Sequence, residues 1–192
     1  MLAKKVVWVE ASPVLFASLS KNIQGLRPES NKRSFFQRLH GNVQTEHLCV
    51  NALIGDEDAN EVDFHIYDND GKSNSVFQID RSTSDYDFLN ETGEVLKMPV
   101  KELDSALSEV GIRPEEVDVL VVDTQGAELL CLKGASKLLA NARYVEAEVS
   151  TRPVYQGGVL LTELDTWLSS RGFRRKTIVR RHHMNSVYKR IA

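Results

Sequence analysis

The fold is decided by the stretch Val117-Asp-Val-Leu-Val-Val-Asp-Thr-Gln-Gly-Ala-Glu-Leu-Leu-Cys-Leu-Lys-Gly134. Five of the six residues from Val117 to Val122 are apolar and four are valines, which is typical of a parallel strand covered on both faces. The strand stops at Asp123, and Gly126 breaks the pattern before helix-forming residues follow. Because ligands of open α/β sheets bind beyond the carboxyl ends of the strands, Asp123 marks the predicted site.

Composition is that of one ordinary domain. The 192 residues are enough to bury one sizeable core, and we predict a single domain over 1–192. No apolar run approaches the roughly 18 residues of a membrane span, and no signal segment precedes the first strand. Cys49 and Cys131 lie in apolar settings and are interpreted as reduced core thiols, which favours a cytoplasmic location.

Charge is distributed unevenly along the chain. After Asp165 there is no further acid, and the last 27 residues hold eight Arg or Lys, a net charge of +8 against −11 before them. This tail either keeps the edge of a terminal hairpin soluble or forms a basic lip for an anionic substrate, such as a phosphorylated or nucleotide-linked sugar. No aromatic residues interleave at stacking spacing, so we expect no nucleic-acid partner.

Local patterns predict strands that alternate with helices. A short strand ends at Glu10, Ser12 is a good N-cap with Pro13 after it, and Glu61–Tyr67 alternates like a half-exposed antiparallel strand. The other predicted elements, in chain order, are a loop at 27–40, a strand at 48–54, a long mobile loop over the pocket at 68–93, a helix at 103–110, helical segments at 127–140, a strand at 143–149, a helix at 160–168, and a hairpin of 173–181 and 186–191 that turns at 183–185. This order indicates a parallel α/β sheet with an antiparallel edge.

The block Asp123-Thr-Gln-Gly-Ala-Glu128, followed by Leu132-Lys-Gly-Ala135, resembles the hallmark of the FkbM-type methyltransferases. Other segments resemble the family in the same order, and they are Val7–Pro13, Val50–Gly55, Gly71–Ser75, Val100–Asp104, Val145–Ser150 and Leu164–Phe173. The resemblance implies a Rossmann-like, doubly wound, mostly parallel sheet of the class I methyltransferase type with a C-terminal antiparallel hairpin. It also implies an S-adenosylmethionine-dependent enzyme that methylates a hydroxyl of a sugar or a glycosylated metabolite.

Several residues are predicted to contact S-adenosylmethionine. Glu10 ends its strand just before a helix, where a carboxylate can accept hydrogen bonds from both ribose hydroxyls. By analogy with the fold, Asn51 and Ala52 would lie at the adenine ring. Asp123 would face the methionine end of the cofactor, and Gln125 is a further predicted contact.

Catalysis requires positioning and removal of the acceptor proton, since the sulfonium is already a good leaving group. Asp123 is the first candidate base, and Glu148 is the second, with a salt bridge to a neighbouring Arg or Lys as its structural alternative. Tyr155 would line the acceptor site. Glu128 is interpreted as a brace that caps backbone amides near the helix start.

Metal chemistry is not indicated by the sequence. The five histidines are scattered, and His182-His183 are assigned to the terminal turn. Asp123 together with Asp63, Asp68 or Asp70 could hold Mg²⁺, but no metal is predicted. Neither a hydrolase elbow nor a phosphate-binding loop is present.

One family feature is missing from the sequence. Enzymes of this class begin with a strand and a glycine-rich loop, whereas this chain has no Gly-x-Gly and starts at the second strand. The chain would therefore be N-terminally truncated relative to the family, or its flanking strands would pair directly, or another chain would complete the sheet in a homo-oligomer. The alternative functions are a non-catalytic binding or interaction domain that has lost cofactor binding, and a nucleotide-sugar enzyme of another reaction type.

Overall fold

The computed structural model describes residues 3–25, 45–82 and 90–191. It divides into two compact units, of which the first extends to Leu53 and the second begins at Ile54. The loop predicted at 27–40 lies outside the described residues. The single domain over 1–192 stays a prediction.

The first unit is a pair of parallel strands with one helix. Its elements are β1 (Lys5–Glu10), α1 (Pro13–Gly25) and β2 (Glu46–Asn51). β1 and β2 pair in parallel, so that Glu10 and Asn51 lie side by side at their carboxyl ends. The amide of Leu15 donates to Ser12 Oγ at 3.4 Å, which confirms the predicted N-cap.

The remaining elements form two sheets and four short helices. They are β3 (Leu53–Gly55), β4 (Ala59–Tyr67), β5 (Glu91–Glu102), α2 (Leu103–Glu109), a 3₁₀ turn (Pro114–Glu116), β6 (Val119–Val122), α3 (Glu128–Lys133), α4 (Ser136–Asn141), β7 (Tyr144–Ser150), α5 (Leu161–Ser169), β8 (Phe173–Arg175) and β9 (His183–Arg190). The sheet orders are β3-β5-β4 and β6-β7-β9-β8. β6 and β7 are parallel, whereas β4–β5, β7–β9 and β8–β9 are antiparallel. The protein is therefore mixed α/β with the expected C-terminal hairpin, and the doubly wound, mostly parallel sheet stays a prediction.

The core of the second unit lies between α3, α4, α5 and the sheet that contains β7 and β9. Its most buried large side chains include those of Leu132, Leu138, Val145, Leu164, Leu168, Phe173 and Tyr188. Gly134 between α3 and α4 allows close backbone packing, because a Cβ there would lie 2.0 Å from the carbonyl oxygen of Gly55. In the part of the chain that is described, no helix is long and apolar enough to cross a membrane.

The prediction that β6 is covered on both faces is wrong for the described residues. Leu120 and Val122 are buried, but Val119 and Val121 are 50% and 68% exposed. Successive side chains of a strand point to opposite faces, so only one face of β6 is packed here. Four valines among the six residues from Val117 to Val122 therefore did not indicate a doubly covered strand.

Two other predictions are corrected by the structure. The strand predicted at 48–54 is two strands, β2 and β3, in different sheets. The loop predicted at 68–93 is not open throughout, because Ser73, Ser75 and Ile79 are buried and β5 already begins at Glu91. Polar side chains hold the described part of this loop, as when Asn74 Oδ1 accepts the amide of Tyr67 at 2.9 Å.

The turn of the C-terminal hairpin also lies earlier than predicted. His183 is not in a turn, because β9 begins there and His183 pairs with Ser150 of β7. Thr177 Oγ1 accepts the amide of Val187 at 2.8 Å, which fixes the start of the connection from β8. This register brings His183 beside the end of β7.

Candidate active site

The site is built where the parallel strands β6 and β7 end. Asp123 directly follows β6, and Glu148 lies near the end of β7, one residue beyond the Val122–Ala147 pair. The Gln125 side-chain nitrogen donates to Asp123 Oδ1 at 2.6 Å and to Glu148 Oε2 at 2.9 Å. The structure therefore brings together both predicted catalytic acids and one predicted cofactor contact.

Gln125 is held in an unusual backbone conformation by its surroundings. Its φ of 55° lies in the left-handed region, which costs roughly 1–2 kcal/mol for a residue other than glycine. Its backbone carbonyl accepts Ser75 Oγ–H at 2.7 Å, and its Oε1 lies 2.8 Å from the Tyr155 hydroxyl. These contacts fix the amide between the two acids, and such stored strain is common at functional sites.

Glu128 braces the turn that carries Gln125. Its side chain is buried, and its Oε1 accepts the amides of Thr124 at 3.0 Å and Gly126 at 3.1 Å. Burial raises the pKa of Glu128, while these backbone hydrogen bonds oppose the rise. The capping geometry is the one expected for the structural role of this acid.

The side chain of Tyr155 is buried beneath the site. It is 4% exposed, and its hydroxyl is 3.3 Å from the Ser73 carbonyl oxygen besides its contact with Gln125. Burial raises the pKa of Tyr155, so the phenol is a neutral hydrogen-bonding group at ordinary pH. A cavity of about 20 Å³, the size of one water molecule, lies beside it and is also lined by Gly126, Glu148 and His183. The role of Tyr155 toward an acceptor stays a prediction.

His183 is the residue that sequence reasoning missed. Its Nε2 lies 2.6 Å from Glu148 Oε1, and this hydrogen bond is the main cause of a raised pKa for His183. Asn185 bonds Glu146 in the same way at 3.1 Å. The sequence contains a pattern that could have indicated these contacts. Glu146 and Glu148 on β7, and His183 and Asn185 on β9, are each two residues apart, so each pair lies on one face of its strand.

The two acids perturb each other electrostatically. Partial burial raises the pKa of Asp123, and the negative charge of Glu148 raises it further. Asp123 nevertheless keeps an exposed side, so solvent screens part of this effect. An acid whose pKa is raised toward neutrality is suited to accept a proton.

Three carboxyl groups of this site lie close together. Asp123, Glu128 and Glu148 each offer an oxygen atom within 4.8 Å of the others. These oxygens, however, already accept hydrogen bonds from Gln125, His183 and backbone amides. Within the described part of the chain, only the acidic cluster itself points to a metal, and we assign none.

The other predicted cofactor residues belong to the first unit. Asn51 Nδ2 donates to the carbonyl oxygens of Glu10 at 2.7 Å and Ala11 at 3.0 Å, and the amide of Ala52 donates to the former at 3.2 Å. Glu10 Oε1 accepts the amide of Ser12 at 2.8 Å. Glu10, Asn51 and Ala52 are thus brought together at one strand end, and their contacts with a nucleotide stay predictions.

The family of the chain follows from its sequence over nearly its whole length. Residues 2–175 match the family model of the methyltransferase FkbM domain, and the chain belongs to this family. The chain is similar to the 2-O-methyltransferase NoeI of Sinorhizobium fredii, with 29% identity over 102 residues, which cover 50% of this chain and 41% of the relative. The alignment thus spans less than half of that relative. No solved structure is significantly similar to the chain.

Proposed function

We propose that the protein is an S-adenosylmethionine-dependent O-methyltransferase that acts on a hydroxyl of a sugar or a glycosylated metabolite. The observation that carries the proposal is the pair of acids, Asp123 and Glu148, joined by the Gln125 amide at the end of two parallel strands. Membership of the FkbM family and the similarity to a 2-O-methyltransferase support transfer to oxygen.

Each unit, taken by itself, offers a carboxylate that suits one part of the proposed cofactor. The Glu10 carboxylate uses one oxygen for the Ser12 amide and retains acceptor capacity for ribose hydroxyls. Asp123 would lie at the methionine end, where its carboxylate either holds the ammonium group or faces the acceptor oxygen. When bound, the cofactor would supply an electrophilic methyl group.

The chain's own residues would orient the acceptor and remove its proton. Asp123 is the proposed base, because its pKa is raised and one side is open to solvent. Glu148 is the second candidate, and its two oxygens are already engaged by Gln125 and His183. Tyr155 and Ser75 hold Gln125, which keeps the two acids at fixed separation.

Cofactor binding is tested by calorimetric titration with S-adenosylhomocysteine. We expect micromolar binding that Asp123→Asn weakens at least tenfold. The matched control is Asp118→Asn, an exposed acid at the opposite end of β6, which should leave the affinity unchanged. A folded protein with no measurable affinity would overturn the proposal and favour a binding domain that has lost its cofactor.

The base is tested by release of S-adenosylhomocysteine during incubation with a panel of glycosides. Asp123→Asn should lower kcat about 100-fold, the order expected when a general base is removed. Glu148→Gln is compared with Glu146→Gln, a neutralised acid on the same face of β7. Equal activities of these two variants would exclude Glu148 as a base.

A further inference from the structure

Arginines stand beyond the same sheet edge that carries the acids. β9 begins at His183 opposite Ser150, and the Thr151 amide donates to the His182 carbonyl at 2.8 Å one step further on. Arg180 and Arg181 immediately precede His182, so they lie just past the carboxyl end of β7. Arg152 follows Thr151 and lines the small cavity together with Glu148.

Half of the basic tail is explained by packing. Arg175 pairs with Asp165 at 3.0 Å, Arg190 donates to the Ala142 carbonyl at 2.8 Å, and Arg171 stacks 3.6 Å above the Trp167 ring. Lys189 lies 5.9 Å from the ring centre of Tyr144. These four cations serve the fold of the hairpin and of the neighbouring helix.

Arg180 and Arg181 are not explained in this way. Both are exposed. Within residues 3–25, 45–82 and 90–191, the structure records no hydrogen bond or ion pair of either side chain. The last 27 residues contain no acid that could neutralise them. They therefore add positive charge at the rim of an acidic site, and no acid among the described residues pairs with it.

The proposed reaction supplies little negative charge for these cations. An acceptor hydroxyl is neutral, the sulfonium of the proposed cofactor is positive, and the one anion of that cofactor is the α-carboxylate of its methionine end. A guanidinium group matches the oxygens of phosphate with two parallel hydrogen bonds. The carboxylates of Asp123 and Glu148 repel an anion, whereas the arginines beyond the strand ends attract one. A ligand that suits both regions carries a neutral hydroxyl near the acids and a separate phosphate near the arginines.

We propose that Arg180 and Arg181 form a phosphate-binding subsite, which we call the arginine rim, and that the acceptor is a phosphorylated sugar. The identity of the acceptor rests on the proposed function, whereas phosphate binding at the arginine rim does not. A sugar phosphate and a phosphate-linked lipid share this chemistry, and the experiment separates them.

The test is a titration of the full chain with inorganic pyrophosphate. We expect the double variant Arg180→Gln/Arg181→Gln to weaken pyrophosphate binding at least tenfold. The matched control is Arg174→Gln/Lys176→Gln, which removes the same charge from exposed positions near β8 and should change affinity less than twofold. Equal losses in both variants, or no binding by the wild type, would overturn the subsite.

Further titrations separate this proposal from the proposed function. The affinity for S-adenosylhomocysteine should be the same in the wild type and in the rim variant. If neither protein binds S-adenosylhomocysteine, the proposed cofactor is rejected, but the phosphate-binding subsite is not. Rim-dependent binding of glucose 1-phosphate supports a sugar phosphate, and rim-dependent binding of vesicles with phosphatidylglycerol supports a lipid-linked phosphate. Tighter binding of a single-stranded oligonucleotide than of either probe would overturn the proposal.

Discussion

Two strand ends in this protein are bridged by an amide side chain, with different results. At the end of β6 and β7, Gln125 donates to two carboxylates, while at the end of β1 and β2, Asn51 donates to two backbone carbonyl oxygens. The first bridge is charge-assisted, half-buried and backed by Tyr155, whereas the second is neutral and exposed. An amide bridge therefore fixes two carboxylates at the end of β6 and β7, and fixes backbone geometry at the end of β1 and β2.

The largest effect is expected from Gln125→Glu, which replaces the donor by a third carboxylate of the same shape. Two charge-assisted hydrogen bonds are lost and like charges meet, so the free energy of unfolding should fall by about 3 kcal/mol at pH 8. The new acid would have a raised pKa in the folded state, so the loss should shrink as pH falls toward 5. Urea denaturation at both pH values checks this, and a loss that does not change with pH would contradict it.

Gly126→Ala should destabilise the turn beneath Gln125 by about 2 kcal/mol. Its φ of 97° disfavours a side chain, and a Cβ would lie 3.0 Å from the Tyr155 ring. Gly93→Ala is the control, because Gly93 has a φ of 80° and no atom within 4 Å of a new Cβ, so about 1 kcal/mol is expected. Thermal unfolding of both variants isolates the Tyr155 contact, and equal shifts would show that it has no effect.

His183→Gln should remove a pH-dependent part of stability, worth about 1 kcal/mol at pH 6. The pKa of His183 is raised above its ordinary 6.5 in the folded protein, mainly by Glu148 and further by the charges of Asp123 and Glu128. Its contribution is therefore complete below pH 6.5 and disappears as pH rises through the folded-state pKa. Denaturation of wild type and variant from pH 5.5 to 9 should converge at the alkaline end; divergence there would refute the assignment.

Asn51→Asp gives the smallest expected effect, about 0.5 kcal/mol, because the exposed side chain is readily hydrated when its hydrogen bonds are lost. The change parallels Gln125→Glu, since each replaces a bridging amide by an acid. Urea denaturation of the two variants side by side measures the contrast between the strand ends. A larger loss for Asn51→Asp than for Gln125→Glu would reverse the comparison.

Local signals predicted the local parts of this fold. Asp123 at a strand end, the Ser12 cap and the alternating β4 all follow from side chains within a few residues of one another. The capping of the Thr124–Gly126 turn by Glu128 is equally local.

Features that depend on pairing across the chain could not be predicted in the same way. β5 was missed because most of its side chains between Glu91 and Lys97 are polar or exposed, and its partner β4 lies more than 20 residues away. The contact of His183 with Glu148 required the register of β9 on β7, which a shift of the turn by a few residues would abolish. The exposure of Val119 and Val121 could not be predicted either, because the sequence of a strand does not determine which elements pack against it.

The two cysteines make the two units separately observable. Cys49 lies half-buried in β2, whereas Cys131 is buried in α3, donates toward the Ile54 carbonyl at 3.4 Å, and has its pKa raised to about 12 by burial. Since only the thiolate reacts with alkylating reagents, Cys131 should be silent until the second unit opens. Mass spectrometry of alkylation over time would then give a separate labelling rate for each cysteine. Synchronous labelling would mean that β2 and α3 become reactive in one opening event, whereas earlier labelling of Cys49 would follow from its greater exposure alone.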